Sequence, residues 1–298
     1  MRRTAVLLAL LLAPPRPASA TWSVTAVDPR TREVGIAGAS CTPNVMGIAG
    51  VVPGRGVIAA QALTNGAARA RGMEMLRAGA SPAEIVRTVT DSTFDPVHPM
   101  QQYGVAALGH APAAYTGAET DAWRGHELDA DASVQGNILA GPRVVADAMA
   151  AFRTAAADSA LSLSDRLLLA LEAGAAAGGD ARCPGQTALS AFLIVAGPDD
   201  RRDAQHLRLY VNGQSEGGRN PVVLLRQRYD EWRRMLRSYQ AGRVGGVEAP
   251  DAAALPEGNA WISTGADSVW PSLPWSQRPD FVLRPGGSGL VARFTACL

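Results

Sequence analysis

Beyond residue 20, short and nearly continuous apolar segments bounded by turn residues alternate with segments of helical period. Residues 22–27 and 34–40 predict two strands, joined into a hairpin by Asp28-Pro29-Arg30-Thr31-Arg32-Glu33. Residues 57–63, after Pro53-Gly54-Arg55-Gly56, predict a buried strand. The pattern turns helical over 67–78. At Ser81-Pro82-Ala83-Glu84 a capping box coincides with proline at the first helical position, which marks a second helix start. Residues 103–108 and 113–116 predict another hairpin, and 134–139 a strand. Gly141-Pro142 then opens a helix that carries Val144, Val145, Ala148, Met149 and Phe152 on one face. A further helix over 164–177 stops at Gly178-Gly179. Residues 187–196 and 206–211 predict buried strands. Asn220-Pro221 caps a long helix whose Leu225, Tyr229, Trp232, Leu236 and Tyr239 form one stripe, the mark of a core-facing helix.

In this order, helices come in pairs between hairpin-like groups of strands. That favours an α+β fold, antiparallel sheets with helices layered on them, over a βαβ alternation. Near residue 241 the texture changes: Pro, Gly and Ala increase, and Trp261, Trp270 and Trp275 fall close together. Residues 21–240 therefore read as one domain and 241–298 as an extension with a few strands. Its tryptophans suit the edge of a core better than a ligand platform.

Residues 1–20 read as a secretory signal peptide. Met1-Arg2-Arg3 supplies the charge, 5–13 the apolar run and Ala18-Ser19-Ala20 the cleavage site. Cleavage there leaves Thr21 at the head of a 278-residue chain, out of 298. A threonine with a free α-amino group carries a nucleophile and a base on one residue. The amine titrates near pH ~7.7–8.0, so it can take the proton from Oγ1 and later return it to a leaving group.

Charge adds exclusions. The segment 1–20 holds three arginines and no acid, so its removal takes the formal net charge from +1 to −2, and nothing points to a nucleic-acid partner. No apolar run beyond the leader reaches the roughly 18 residues of a membrane span, so the expected product is exported, to the periplasm or outside the cell. The chain has no lysine, so no lysine can act as base or activator. Cys41, Cys183 and Cys297 allow three pairings in an oxidising compartment, and their spacing does not choose. Neither C-x-x-C nor H-x-x-x-H spacing occurs, so no metal and no cofactor is expected. His98, His110, His126 and His206 are scattered, without the neighbours of a catalytic triad.

Several segments carry a family resemblance. They are Thr21-Trp22-Ser23-Val24, Val27-Asp28-Pro29, Glu33-Val34-Gly35-Ile36-Ala37, Ala39-Ser40 and Gln61-Ala62-Leu63-Thr64-Asn65. To these add Ala114-Tyr115-Thr116-Gly117-Ala118-Glu119, Val134-Gln135-Gly136-Asn137-Ile138-Leu139-Ala140-Gly141 and Gly178-Gly179-Asp180. Over about 21–232 the chain resembles domain-of-unknown-function family 1028 (DUF1028), a branch of the N-terminal nucleophile (Ntn) hydrolases. The resemblance implies a four-layer αββα sandwich with the nucleophile at the start of the first strand, and a C–N (amide) bond as the target. Residue by residue, it implies Thr21 as nucleophile, Asn137 and Asp180 as supports of its amine, and Gln61 or Asn65 as donors to an oxyanion. The substrate would be a small-molecule or peptide amide, and a homodimer is compatible with the family. Proteasome-like relatives add an aspartate and a lysine; here Ala39 stands near the aspartate position and no lysine exists, so the acylase-like arrangement is the one implied. A binding or structural protein on the same scaffold is the rival reading. Cys41 and Cys183 both border the implied site, which makes their pairing the expected one.

Overall fold

The computed structural model describes residues 21–240, 279–283 and 290–294. The chain begins with β1 (Thr21–Asp28) and β2 (Glu33–Ser40), followed by β3 (Ala49–Val52) and β4 (Gly56–Ala62). Helices α1 (Gly66–Arg77) and α2 (Pro82–Val89) come next, then β5 (Gln101–Ala107), β6 (His110–Thr116), β7 (Gly125–Leu128) and β8 (Ala132–Asn137). After α3 (Arg143–Ala156) and α4 (Leu163–Ala176) come β9 (Ser190–Ala196), β10 (Leu207–Val211) and α5 (Pro221–Gln240). A hairpin follows toward the C-terminus, β11 (Pro279–Leu283) and β12 (Leu290–Phe294).

Two sheets result. The larger runs β11-β12-β10-β9-β2-β1-β8-β7 and the smaller β3-β4-β5-β6. The pairing is antiparallel except where β12 joins β10, with Ala292 beside Leu207. Helices α3 and α4 pack on the larger sheet, α5 reaches β9 and β10, and α1 and α2 cover the smaller sheet. Strands β1, β2 and β8 face β4 and β5 across the middle. The molecule is therefore an α+β sandwich of four layers, helix–sheet–sheet–helix.

Local chemistry explains the boundaries. The Ser81–Glu84 capping box forms as its spacing predicts, and a second, Ser162–Asp165, starts α4. Gly178 and Gly179 end the α4 segment at φ +111° and +55°, where a side chain would be strained. Asn220 Oδ1 accepts from Val222 N at 2.8 Å and starts α5. Two short strands, β3 and β7, do not stand out in the hydrophobic pattern, and the strand expected over 187–196 begins three residues later, at Ser190.

Both faces of the larger sheet are covered, so every residue of β1 is buried. Trp22, Val24 and Ala26 point toward α3 and α4, with Leu167, Leu168 and Leu171 among their neighbours in that core. Trp22 also donates its indole N–H to Leu171 O at 3.3 Å. A buried tryptophan of this kind contributes about 3–5 kcal/mol relative to alanine, and it fixes the start of β1 one residue from Thr21. The alternate residues of β1 turn toward the smaller sheet. Far from Thr21 that inter-sheet space is apolar, filled by Val27, Ile36, Val57, Phe192 and Ile194. Near Thr21 it is polar.

Candidate active site

Thr21 opens β1 with Asn137, the last residue of β8, directly opposite. Opposed residues share a face, with Cβ atoms roughly 4.5–5.5 Å apart. On the other side of β1, Trp22 pairs with Ala39, so the register leads from Thr21 to Ser40, and Ser40 pairs with Ser190 of β9. Asn137, Thr21, Ser40 and Ser190 thus form a polar row across four strands on the inter-sheet face. All four are at most 1 % exposed. Ser190 Oγ has no hydrogen-bond partner among the described residues.

Behind this row lies a network of buried amides and hydroxyls. Ser133 Oγ donates to Gln135 Oε1, Gln135 Nε2 to Ser23 Oγ, and Ser23 Oγ to Gln61 Oε1, each at 2.6 Å. Gln61 Nε2 donates to Gln102 Oε1 at 2.8 Å and to Thr21 O at 3.2 Å. Asn137 Nδ2 also donates to Gln102 Oε1, at 3.2 Å. Gln102 Nε2 closes the path on Gly136 O at 2.8 Å, Gly125 O at 3.1 Å and Thr116 Oγ1 at 2.9 Å. Thr116 Oγ1 in turn lies 2.8 Å from His126 Nδ1 at the surface. His126 is exposed, and the partial desolvation of its ring lowers its pKa from the ordinary value. Gly104 makes room for this network: a Cβ there would lie 2.1 Å from Gln135 Oε1.

Asp180 and Asn65 serve neighbouring structure. Asp180 is fully buried and forms an isolated β-bridge with Leu139, two residues past Asn137. Its carboxylate accepts from Cys41 N at 2.6 Å and pairs with Arg182 at 2.9 Å. The Cys41–Cys183 disulfide spans the same corner, with Cα atoms 5.9 Å apart; Cys297 lies outside the described residues. Asp180 and the disulfide together tie the end of β2 to the segment after α4. Asn65 caps α1, accepting from Ala68 N at 3.0 Å and donating to Asp95 Oδ2 at 2.8 Å.

The structure therefore brings Thr21, Gln61 and Asn137 together, sets Asp180 at the adjoining turn, and engages Asn65 as a helix cap. Gln61 spends both its amide hydrogens on Thr21 O and Gln102, which leaves it none for an oxyanion. Sequence reading missed Ser23, Gln102, Gln135 and Ser190. A signal was present, since Ser133, Gln135 and Asn137 alternate with Ala132, Val134 and Gly136, but such alternation ordinarily marks a solvated face.

Backbone strain gathers at the same end. Ala62, Ile138 and Thr187 have φ of +66°, +50° and +69°. Ala62 follows Gln61, Ile138 follows Asn137, and Thr187 O accepts from Asp180 N at 3.0 Å. For β-branched Ile138 and Thr187 this is an outlying conformation, and each such residue costs about 1–3 kcal/mol. The surrounding hydrogen bonds hold the strain in place.

Residues 21–217 match the family described as "Family of unknown function (DUF1028)". The chain belongs to the DUF1028 family. A solved DUF1028 structure, protein SPO2555 from Silicibacter pomeroyi, is 28 % identical, with a TM-score of 0.60. The alignment covers 72 % of this chain and 89 % of that one. No curated protein matches. The family match begins at Thr21, the residue from which the polar row is built. Among the described residues of this DUF1028 chain, no helix is long and apolar enough to cross a membrane.

Proposed function

We propose that this chain is an exported amidohydrolase of the N-terminal nucleophile type. Removal of residues 1–20 converts the Thr21 peptide nitrogen into an α-amine. Thr21 Oγ1 then attacks the carbonyl carbon of an amide while its proton passes to that amine. Collapse of the tetrahedral intermediate breaks the C–N bond, and the ammonium returns the proton to the departing nitrogen. An ester on Thr21 remains. Water attacks it, the amine again takes the proton, and a carboxylic acid leaves as Oγ1 is reprotonated. Acylated amino acids, small peptides and cell-wall fragments all fit this chemistry.

One observation carries the reading: Thr21 is the first residue of a central strand and faces a polar interior, with a carboxamide directly across from it. The Cys41–Cys183 disulfide supports passage through an oxidising compartment. Mass spectrometry of the exported protein, before and after a β-lactone probe, tests it. The expected result is an N-terminus at Thr21 and one adduct on that residue. A different N-terminus, or no adduct under native conditions, overturns the reading.

The burial of Thr21 favours a second reading, a binding or structural protein on the same scaffold. On that reading the processed chain has Thr21 at its head but stays inert to the probe.

A further inference from the structure

The two ends of a carboxamide are nearly the same size, so its hydrogen-bond partners decide which end is the donor. For the buried amides, two backbone oxygens decide. Gly136 O and Gly125 O can only accept, and they lie 2.8 and 3.1 Å from one end of Gln102. That end is its NH2 group, and Gln102 Oε1 faces the other way as an acceptor. Gln61 and Asn137 must therefore both turn their nitrogens to it. Gln61 has a second anchor in Thr21 O. Asn137 takes its polarity from Gln102, which leaves its oxygen as the acceptor end of the residue across from Thr21.

We infer that Gln102 is a positioning residue that holds the Asn137 oxygen ready for the Thr21 α-amine; the inference rests on the reading of Thr21 as a nucleophile. An amine that donates one N–H to a fixed oxygen keeps its lone pair for the Thr21 hydroxyl. With Asn137 reversed, an N–H would face that lone pair and occupy the base itself. The oriented oxygen also favours the ammonium over the free amine, whereas a reversed amide favours the free amine. Gln102 is fully buried and sits on β5, in the opposite sheet from Thr21, so it acts through Asn137.

The test uses the exported, processed protein carrying Gln102→Leu, or the shorter and still polar Gln102→Asn. Adduct formation on Thr21 with the β-lactone probe is followed by intact mass from about pH 6 to 9, around the ordinary range of an α-amine. In either variant the rate is expected to fall on the order of tenfold, as a misoriented base would cause, and the midpoint of the pH profile to move to lower pH. A slower rate with an unmoved midpoint means that Gln102 only supports packing, and overturns the inference; so does an unchanged rate in a folded variant. If Gln102→Leu fails to fold, Gln102→Asn gives the same readout. Absence of any adduct in the unmutated protein overturns the nucleophile itself, a distinct result.

Discussion

Thr21 and Asn137 face each other across the antiparallel pair of β1 and β8, at the end of the sandwich where Ala62, Ile138 and Thr187 adopt left-handed backbone. Strand pairing fixes their relative position, so it does not depend on a loop. Replacing Thr21 by Ser keeps a hydroxyl and an amine on one residue, and the β-lactone adduct is expected to persist. Thr21→Ala removes the nucleophile and is expected to abolish the adduct with little change in thermal midpoint. An adduct that survives in Thr21→Ala would place the reactive group elsewhere.

Gly104 gives a test of packing. A methyl group there meets the Gln135 carboxamide, which already holds Ser23 and Ser133 and has nowhere to move. Gly104→Ala is expected to cost about 1–3 kcal/mol, the usual range for overpacking, measured by denaturant unfolding. Unchanged stability would show that the amide network is looser than its distances indicate.

The Cys41–Cys183 bridge closes a loop across a sequence separation of 142. Restricting the unfolded chain over such a length contributes about 5 kcal/mol in the chain-entropy account. A thiol reductant, or the Cys41→Ser and Cys183→Ser pair, is expected to lower the thermal midpoint by about 10 °C. Because Asp180 accepts from Cys41 N, the probe reaction at Thr21 is expected to slow in the same samples. Equal melting with and without reductant would refute this.

His126 gives a test of proton position. Thr116 Oγ1 faces the NH2 group of Gln102, which cannot accept, so its hydrogen goes to His126 Nδ1. His126 is expected to be neutral, with its proton on Nε2, and to titrate below an ordinary histidine because partial desolvation of this surface ring disfavours its charged form. Unfolding then takes up a proton, so this group lowers stability as pH falls below the unfolded value near ~6.5. Imidazole ¹⁵N shifts report both tautomer and titration; a proton on Nδ1 at neutral pH would contradict the assignment.

Asp165 clamps α4 to α5. Burial raises its pKa, but bonds from Ser162 and Tyr229 and the charge of Arg233 outweigh it, so the carboxyl lies below its ordinary value. Tyr229 OH and Arg233 reach it at 2.9 and 2.7 Å. A depressed carboxyl stabilises above its unfolded pKa near ~3.9 and loses that contribution as pH falls through the folded value. Asp165→Asn is expected to cost about 1–2 kcal/mol near neutrality, and the difference is expected to close under acid. A penalty equal at every pH would assign the effect to packing alone.

Elements with a strong period or a cap were legible in the sequence: the β1–β2 hairpin, the Ser81 helix start and the Gly178-Gly179 stop all form as read. Residues 279–283 and 290–294 pair as the hairpin β11–β12, while Trp261, Trp270 and Trp275 lie outside the described residues. Strand β7, Gly125–Leu128, was illegible because half its residues are exposed and it borrows its order from β8. The amide network was illegible for another reason. Gln102, Gln135 and Ser23 look like the outward side of half-buried strands, and only the four-layer architecture turns that side inward. Thr21, Gln61 and Asn137 could be singled out from one sequence, whereas their hydrogen-bond directions could not, because these depend on which backbone carbonyl ends the chain.

That ending has a consequence for entropy. In a closed ring of amides and hydroxyls every donor could reverse together, and two hydrogen-bond arrangements would compete. The path from Ser133 to Gln102 is open and stops on the Gly125 and Gly136 oxygens, which cannot reverse. It therefore has one ground arrangement, and the carboxamide opposite Thr21 inherits a single orientation, through Gln102 of the facing sheet, from main-chain carbonyls of β8 and its neighbour β7.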